Sequence, residues 1–148
     1  MDAKTVAVAG ARARIAIGIA GIVAPGAAAR LMGGRSESAG LAPVVVRMLG
    51  ARDIALGLGA VIAIDRGAPA RGWLEAAALA DTGDLLASVL GRDRLTPGAF
   101  KATAALSGAS AALGALLARQ LDPPPPPDPG HPEAIATGHP SEPGPAGS

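Results

Sequence analysis

The chain has 148 residues, with 13 Lys and Arg against 12 Asp and Glu for a formal net charge of +1, and it contains no cysteine. That balance gives no electrostatic field that would attract nucleic acid or an acidic substrate. The missing cysteine removes disulfides, thiolate nucleophiles and Cys-ligated zinc or iron–sulfur sites. Apolar residues make up 49% of the chain but aromatics only 1%, so packing must come from Ala, Gly, Leu, Val and Ile. Small-residue helices of this kind suit a bilayer, where close backbone approach replaces the hydrophobic drive between helices.

In chain order, the first apolar segment runs from about Arg14 to Met32, with Ile15, Ile17, Ile19, Ile22 and Val23 as its bulk. Pro25 and Gly26 predict a kink inside it, tolerable where neighbouring helices satisfy the freed carbonyls. Arg12 and Arg14 interrupt the N-terminal run, and no cleavage pattern follows, so a removable signal peptide is not expected. Gly33, Gly34, Ser36, Ser38 and Gly40 read as a loop, and Pro43 stands where a helix can begin. The second span is about Val44 to Ile64 and the third about Trp73 to Leu90, joined by a short polar stretch. Trp73 is placed as an interfacial anchor. The fourth runs from about Ala99 to Ala118 after the turn Gly91 to Gly98. Each approaches the roughly 17–25 residues a membrane span needs, and the short inner loops force antiparallel neighbours.

After Leu121 the composition changes. Residues 122–148 hold ten of the fourteen prolines and one bulky apolar residue, Ile135, which predicts a disordered, partly polyproline II tail. We read it as a bland tail rather than a ligand for a Pro-recognising domain. His131 and His139 lie in it without a rigid third ligand, so neither a metal nor a cofactor is expected. Small residues recur every four positions at Ala51, Ala55, Gly59 and Ala63, and again at Ala104, Gly108 and Ala112 and at Ser110, Gly114 and Ala118. Such faces pack helices within a chain or hold a homo-oligomer together.

The chemistry lies in the charges inside the second and third spans. Ionisable groups at membrane depth cost roughly 2.5–3.5 kcal/mol each on insertion scales, so they face an interior and find partners. At about 1.5 Å rise per residue from the shared turn, Arg52 lies about 18 Å deep and Asp84 about 16–17 Å, which places them at one level. Asp81 and Asp84 are three apart and share a face. Arg52 and Asp53 point about 100° apart, which predicts that Asp53 does not neutralise its own neighbour. The candidate cluster is therefore Arg52, Asp53, Asp81 and Asp84, three acids against one arginine. It reads either as a structural clamp fixing helix register or as a proton relay or site for a small polar or amphipathic ligand.

Two soluble readings fail. Lys4 to Gly10 imitates the first strand of a dinucleotide fold, but the residues after Gly10 lack the glycines that pattern needs. Neither a Ser–His nor a Cys–His constellation is available for nucleophilic catalysis, since both histidines lie in the tail.

The segment Arg47 to Gly59, RMLGARDIALGLG, resembles the signature of the small bacterial four-helix membrane proteins classed as domain of unknown function 4267. Ala24-Pro25, Ala29 to Gly33 and Asp81-Thr82-Gly83-Asp84 resemble that family's other stretches in the same order. The resemblance covers about residues 10 to 118 and implies a four-span membrane protein without an established activity. Arg12, Arg14 and the tail have no place in the pattern.

The sequence therefore predicts an all-α, four-helix transmembrane bundle over residues 1–121 with a disordered tail over 122–148. The expected protein is a multi-pass component of the cell membrane whose partner is the lipid bilayer, and it is not an enzyme. The alternative is a proton-coupled transporter or small-ligand carrier element that uses the cluster.

Overall fold

The computed structural model describes residues 2–31 and 42–121. The loop glycines from Gly33 to Gly40, the proline-rich tail and its two histidines lie outside the described residues. The described chain is all helical, with five α-helices and no strand: α1 Ala3–Val23, α2 Pro25–Leu31, α3 Ala42–Asp65, α4 Arg71–Leu90 and α5 Pro97–Leu121. A 3-10 turn, Arg92–Arg94, separates α4 from α5.

The first helix departs from expectation. It begins at Ala3 rather than near Arg14, and what was read as one kinked span is two helices. Asp2 caps α1, its carboxylate accepting from the Thr5 backbone N–H at 2.6 Å, an N-cap arrangement that satisfies an otherwise orphaned donor. That bond holds the Asp2 carboxyl below its ordinary range. At the other end the residue before a proline is driven out of helical conformation, so α1 stops at Val23 and Pro25 starts α2 at its first position. The consequence matters below: Arg12 and Arg14 sit in the middle of α1.

Other boundaries follow local chemistry. At the end of α3, Gly67 adopts φ +65, its N–H donates to the Ile64 carbonyl and the Ala68 N–H donates to the Ala63 carbonyl at 2.9 Å. Those bonds form a Schellman closure, which needs a left-handed residue and so favours glycine. Thr96 accepts from the Ala99 N–H through its side chain and Pro97 opens α5.

α1 lies antiparallel along α3, and α4 antiparallel along α5. α3 and α4, although joined by a short turn, touch much less. Within the α1/α3 pair the backbones come close. A Cβ on Gly18 would lie 2.5 Å from the Gly50 carbonyl oxygen, and one on Gly50 would lie 2.6 Å from that of Gly18. One on Gly57 would meet the Ala11 carbonyl at 2.7 Å. The buried face of α3 is thus Val46, Gly50, Gly57, Ala60 and Ala63. Ala51 and Ala55 of the predicted small-residue stripe are exposed, because the glycines seven apart, not the alanines four apart, face α1. On α5 the Ser110, Gly114 and Ala118 stripe does pack inward, with Gly114 against Ala78 and Leu74 of α4.

Bulk and size are distributed inside out. No large side chain is fully buried among the described residues, while Met48, Leu79, Leu90 and Leu106 are 64–78% exposed. The core is Ala7, Ala11, Ala60, Leu74, Leu117, Ala118 and their neighbours.

Candidate functional site

The predicted polar residues come together, and the structure adds two that the sequence reading left out. Arg14 of α1 stands mid-helix and donates from Nη1 to Asp53 Oδ1 at 2.9 Å and from Nη2 to Asp81 Oδ2. Its Nη2 also donates to Ser110 Oγ of α5 at 3.1 Å, and Ser110 in turn donates to Asp81 Oδ2 at 2.7 Å. Arg52 takes Asp84 in a two-pronged contact, Nη1 to Oδ1 at 3.0 Å and Nη2 to Oδ2 at 2.8 Å. Such fork-to-fork pairing is the geometry a guanidinium favours with a carboxylate. The site therefore joins all four long helices.

Two expectations need correction. Arg52 Nη2 donates to Asp53 Oδ1 at 3.2 Å, so the sequential neighbours do meet. Their Cβ directions diverge as expected, but the long arginine stem carries the guanidinium back across the gap. Asp53 thus bridges Arg14 and Arg52. The count changes as well: two guanidiniums, not one, face the three carboxyl groups.

Helix periodicity explains why these side chains point inward. On α4 the buried residues Leu74, Ala78, Asp81 and Ser88 lie three, four or seven apart, so Asp81, only 6% exposed, belongs to the same face as the core leucine. Ser88 and Thr82 return their hydroxyls to the carbonyls of Asp84 and Ala78, both at 2.8 Å. Arg52 Nε is the one buried side-chain polar atom without a hydrogen-bond partner among the described residues. The ends of the helices hold ordinary pairs: Arg71 with Glu75 at 2.6 Å, and Arg47 donating to the Ile22 carbonyl near the end of α1.

A cavity of about 70 Å³ leads to the network between the four long helices. Arg14 and Ser110 lie at its inner end, Ala11, Ala60, Leu74 and Gly114 form its walls, and Ala7, Trp73 and Leu117 border it farther out. Trp73 sits on Gly59, where a Cβ would lie 2.3 Å from the indole. Trp73 also borders an outer groove with Leu58, Ile62 and Arg66. Among the described residues no group of three or more His, Cys, Asp and Glu is placed to hold a metal ion.

The chain matches no protein-family model, no curated protein and no solved structure. Two helices, α1 and α5, are long and apolar enough to cross a membrane. Every 18-residue stretch of α3 or α4 holds at least three charged residues, and those two helices supply four of the six network side chains.

Proposed function

We propose that α1, α3, α4 and α5 cross the membrane as a four-helix bundle. In this reading the protein is a non-enzymatic, multi-pass membrane component whose Arg14–Arg52–Asp53–Asp81–Asp84–Ser110 network fixes the register of the helices. The observation that carries it is the inverted packing: most of the bulky aliphatic side chains lie outside and the paired network charges inside. In water that arrangement leaves a large apolar surface exposed; in lipid it is the expected one, with small residues at helix contacts and ionisable groups paired inward. The network charges of α3 and α4 do not oppose spanning, because Arg52, Asp53, Asp81 and Asp84 each have a partner on another helix. The resemblance to domain of unknown function 4267 agrees with this, since its motif residues Arg52, Asp53, Asp81 and Asp84 fall in one cluster.

The test has two stages. The expressed protein should stay with membranes after alkaline carbonate washing, and recovery in the aqueous phase would end the membrane reading. Asp84→Asn should then lower thermal stability in detergent without altering proton flux across liposomes. A second reading, a proton-coupled transporter or small-ligand carrier, is favoured by the cavity that ends on Arg14 and Ser110. It predicts instead that Asp84→Asn abolishes flux with folding intact.

A further inference from the structure

Arg12 is the one charge of α1 that neither the network nor a helix end absorbs. It lies about 13–14 Å from Ala3 and about 16–17 Å from Val23 along the axis, near the middle of the helix. It is exposed, and it makes no ion pair among the described residues. If α1 spans the membrane, as proposed above, that leaves a guanidinium on the outer surface at depth, where an ionisable group needs a partner.

The surface around Arg12 is built of small residues. At 100° per residue, Thr5, Ala9, Ala13, Ala16 and Ala20 fall within about 100° of Arg12 on one side, and all five are exposed. Ile17 and Ile19 flank this strip. The outer faces of α3 and α4 carry bulk instead, including Met48, Leu58, Leu79 and Leu86; α5 exposes Ala102, Ala105, Ala109 and Ala112, with no charge near mid-helix. A shallow, small-residue strip lets another backbone approach closely, and its one charged group is a cation.

We propose that this strip docks a transmembrane helix of a different membrane protein, one that carries a carboxylate at mid-depth to pair with Arg12. A second copy of this chain does not fit. A symmetric pair would set Arg12 towards Arg12, and the carboxylates available at that level, Asp53, Asp81 and Asp84, are held inward by Arg14 and Arg52. Charge complementarity therefore selects an acidic helix from elsewhere.

The experiment places the full-length protein in liposomes with labelled synthetic Leu/Ala-rich transmembrane peptides bearing one central Asp, Leu or Lys, and reads association by energy transfer at neutral pH. The expected result is at least tenfold tighter association with the Asp peptide than with the Leu peptide. Arg12→Lys should keep that preference, Arg12→Gln should remove it, and Arg12→Asp should transfer it to the Lys peptide. Equal association with the Asp and Leu peptides would overturn the proposal, as would a preference that survives Arg12→Gln, because either means that lipid headgroups or bulk packing meet the needs of Arg12. An alkaline wash of the same liposomes separates the two levels. Wild-type protein that washes off overturns the membrane reading itself, whereas retained protein without the preference overturns only the docking partner.

Discussion

Where α1 crosses α3, backbone meets backbone through Gly18 and Gly50; where the α1/α3 pair meets the α4/α5 pair, arginines meet aspartates. At the glycines the contact is geometric, and what it requires is the absence of side chains. The second is directional: guanidinium forks and carboxylates fix which residue stands opposite which, at the boundary where apolar contact is thinnest. Small residues determine how close the helices lie, and charges determine how far each has slid along its neighbour.

The difference can be broken from either side. The largest effect should come from Arg14→Leu, which leaves Asp53 and Asp81 without their shared cation. Removing one member of a buried pair costs about 3–5 kcal/mol, so the variant should melt well below the wild type in detergent. Adding Asp53→Asn and Asp81→Asn to it should recover much of the loss, since the uncompensated charges go too. Next, Gly50→Val should cost about 1–3 kcal/mol by overpacking against the Gly18 carbonyl. Gly114→Ala should cost less, because its added methyl would stand 3.2 Å from the Ala78 Cβ and 3.3 Å from the Leu74 carbonyl oxygen, against 2.6 Å from a carbonyl oxygen at Gly50. Gly83→Ala, with nothing within 4 Å, should be neutral or slightly stabilising. Matched thermal melts of these three variants check the order.

Arg52 and Asp84 are each about one-third exposed, so Asp84→Asn should cost only about 1 kcal/mol after allowance for solvent screening. Exchanging them, Arg52→Asp with Asp84→Arg, should recover part but not all of the loss in a double-mutant cycle. The exchange restores the fork but forfeits the Arg52–Asp53 bond. The smallest effect belongs to Asp2→Ala, which should fray the first turn of α1, visible as faster amide exchange at Thr5. Because the folded Asp2 carboxyl titrates below its ordinary range, its contribution is complete above about pH 4. It fades as the pH falls through the lower folded value.

The later helices were legible in the sequence because their ends carry punctuation: Gly67 and Pro69 around the α3–α4 turn, and Gly91 to Pro97 before α5. Counting residues from the shared turn sets Arg52 level with Asp84, and the two side chains meet at 2.8 Å. The first helix was misread because Pro25 looks the same whether it kinks one helix or divides two, and because Arg12 and Arg14 read as an interruption. Hydropathy along the window does not distinguish Arg14, turned inward to two aspartates, from Arg12, turned outward. A helical wheel offers the signal: Arg14 shares a face with Ala7, Ala11, Gly18 and Gly21, the buried residues of α1. Ser110 was visible only as a member of a small-residue stripe, since a hydroxyl declares its acceptor only in three dimensions.

Trp73 is the chain's single tryptophan, and it lines both the inner cavity and the outer groove. Ultraviolet emission from the unlabelled protein therefore originates at one known wall. Brominated acyl chains should dim it from the groove, and water-soluble quenchers should dim it from the cavity, so a native chromophore reports which compartment reaches each of the two spaces it lines.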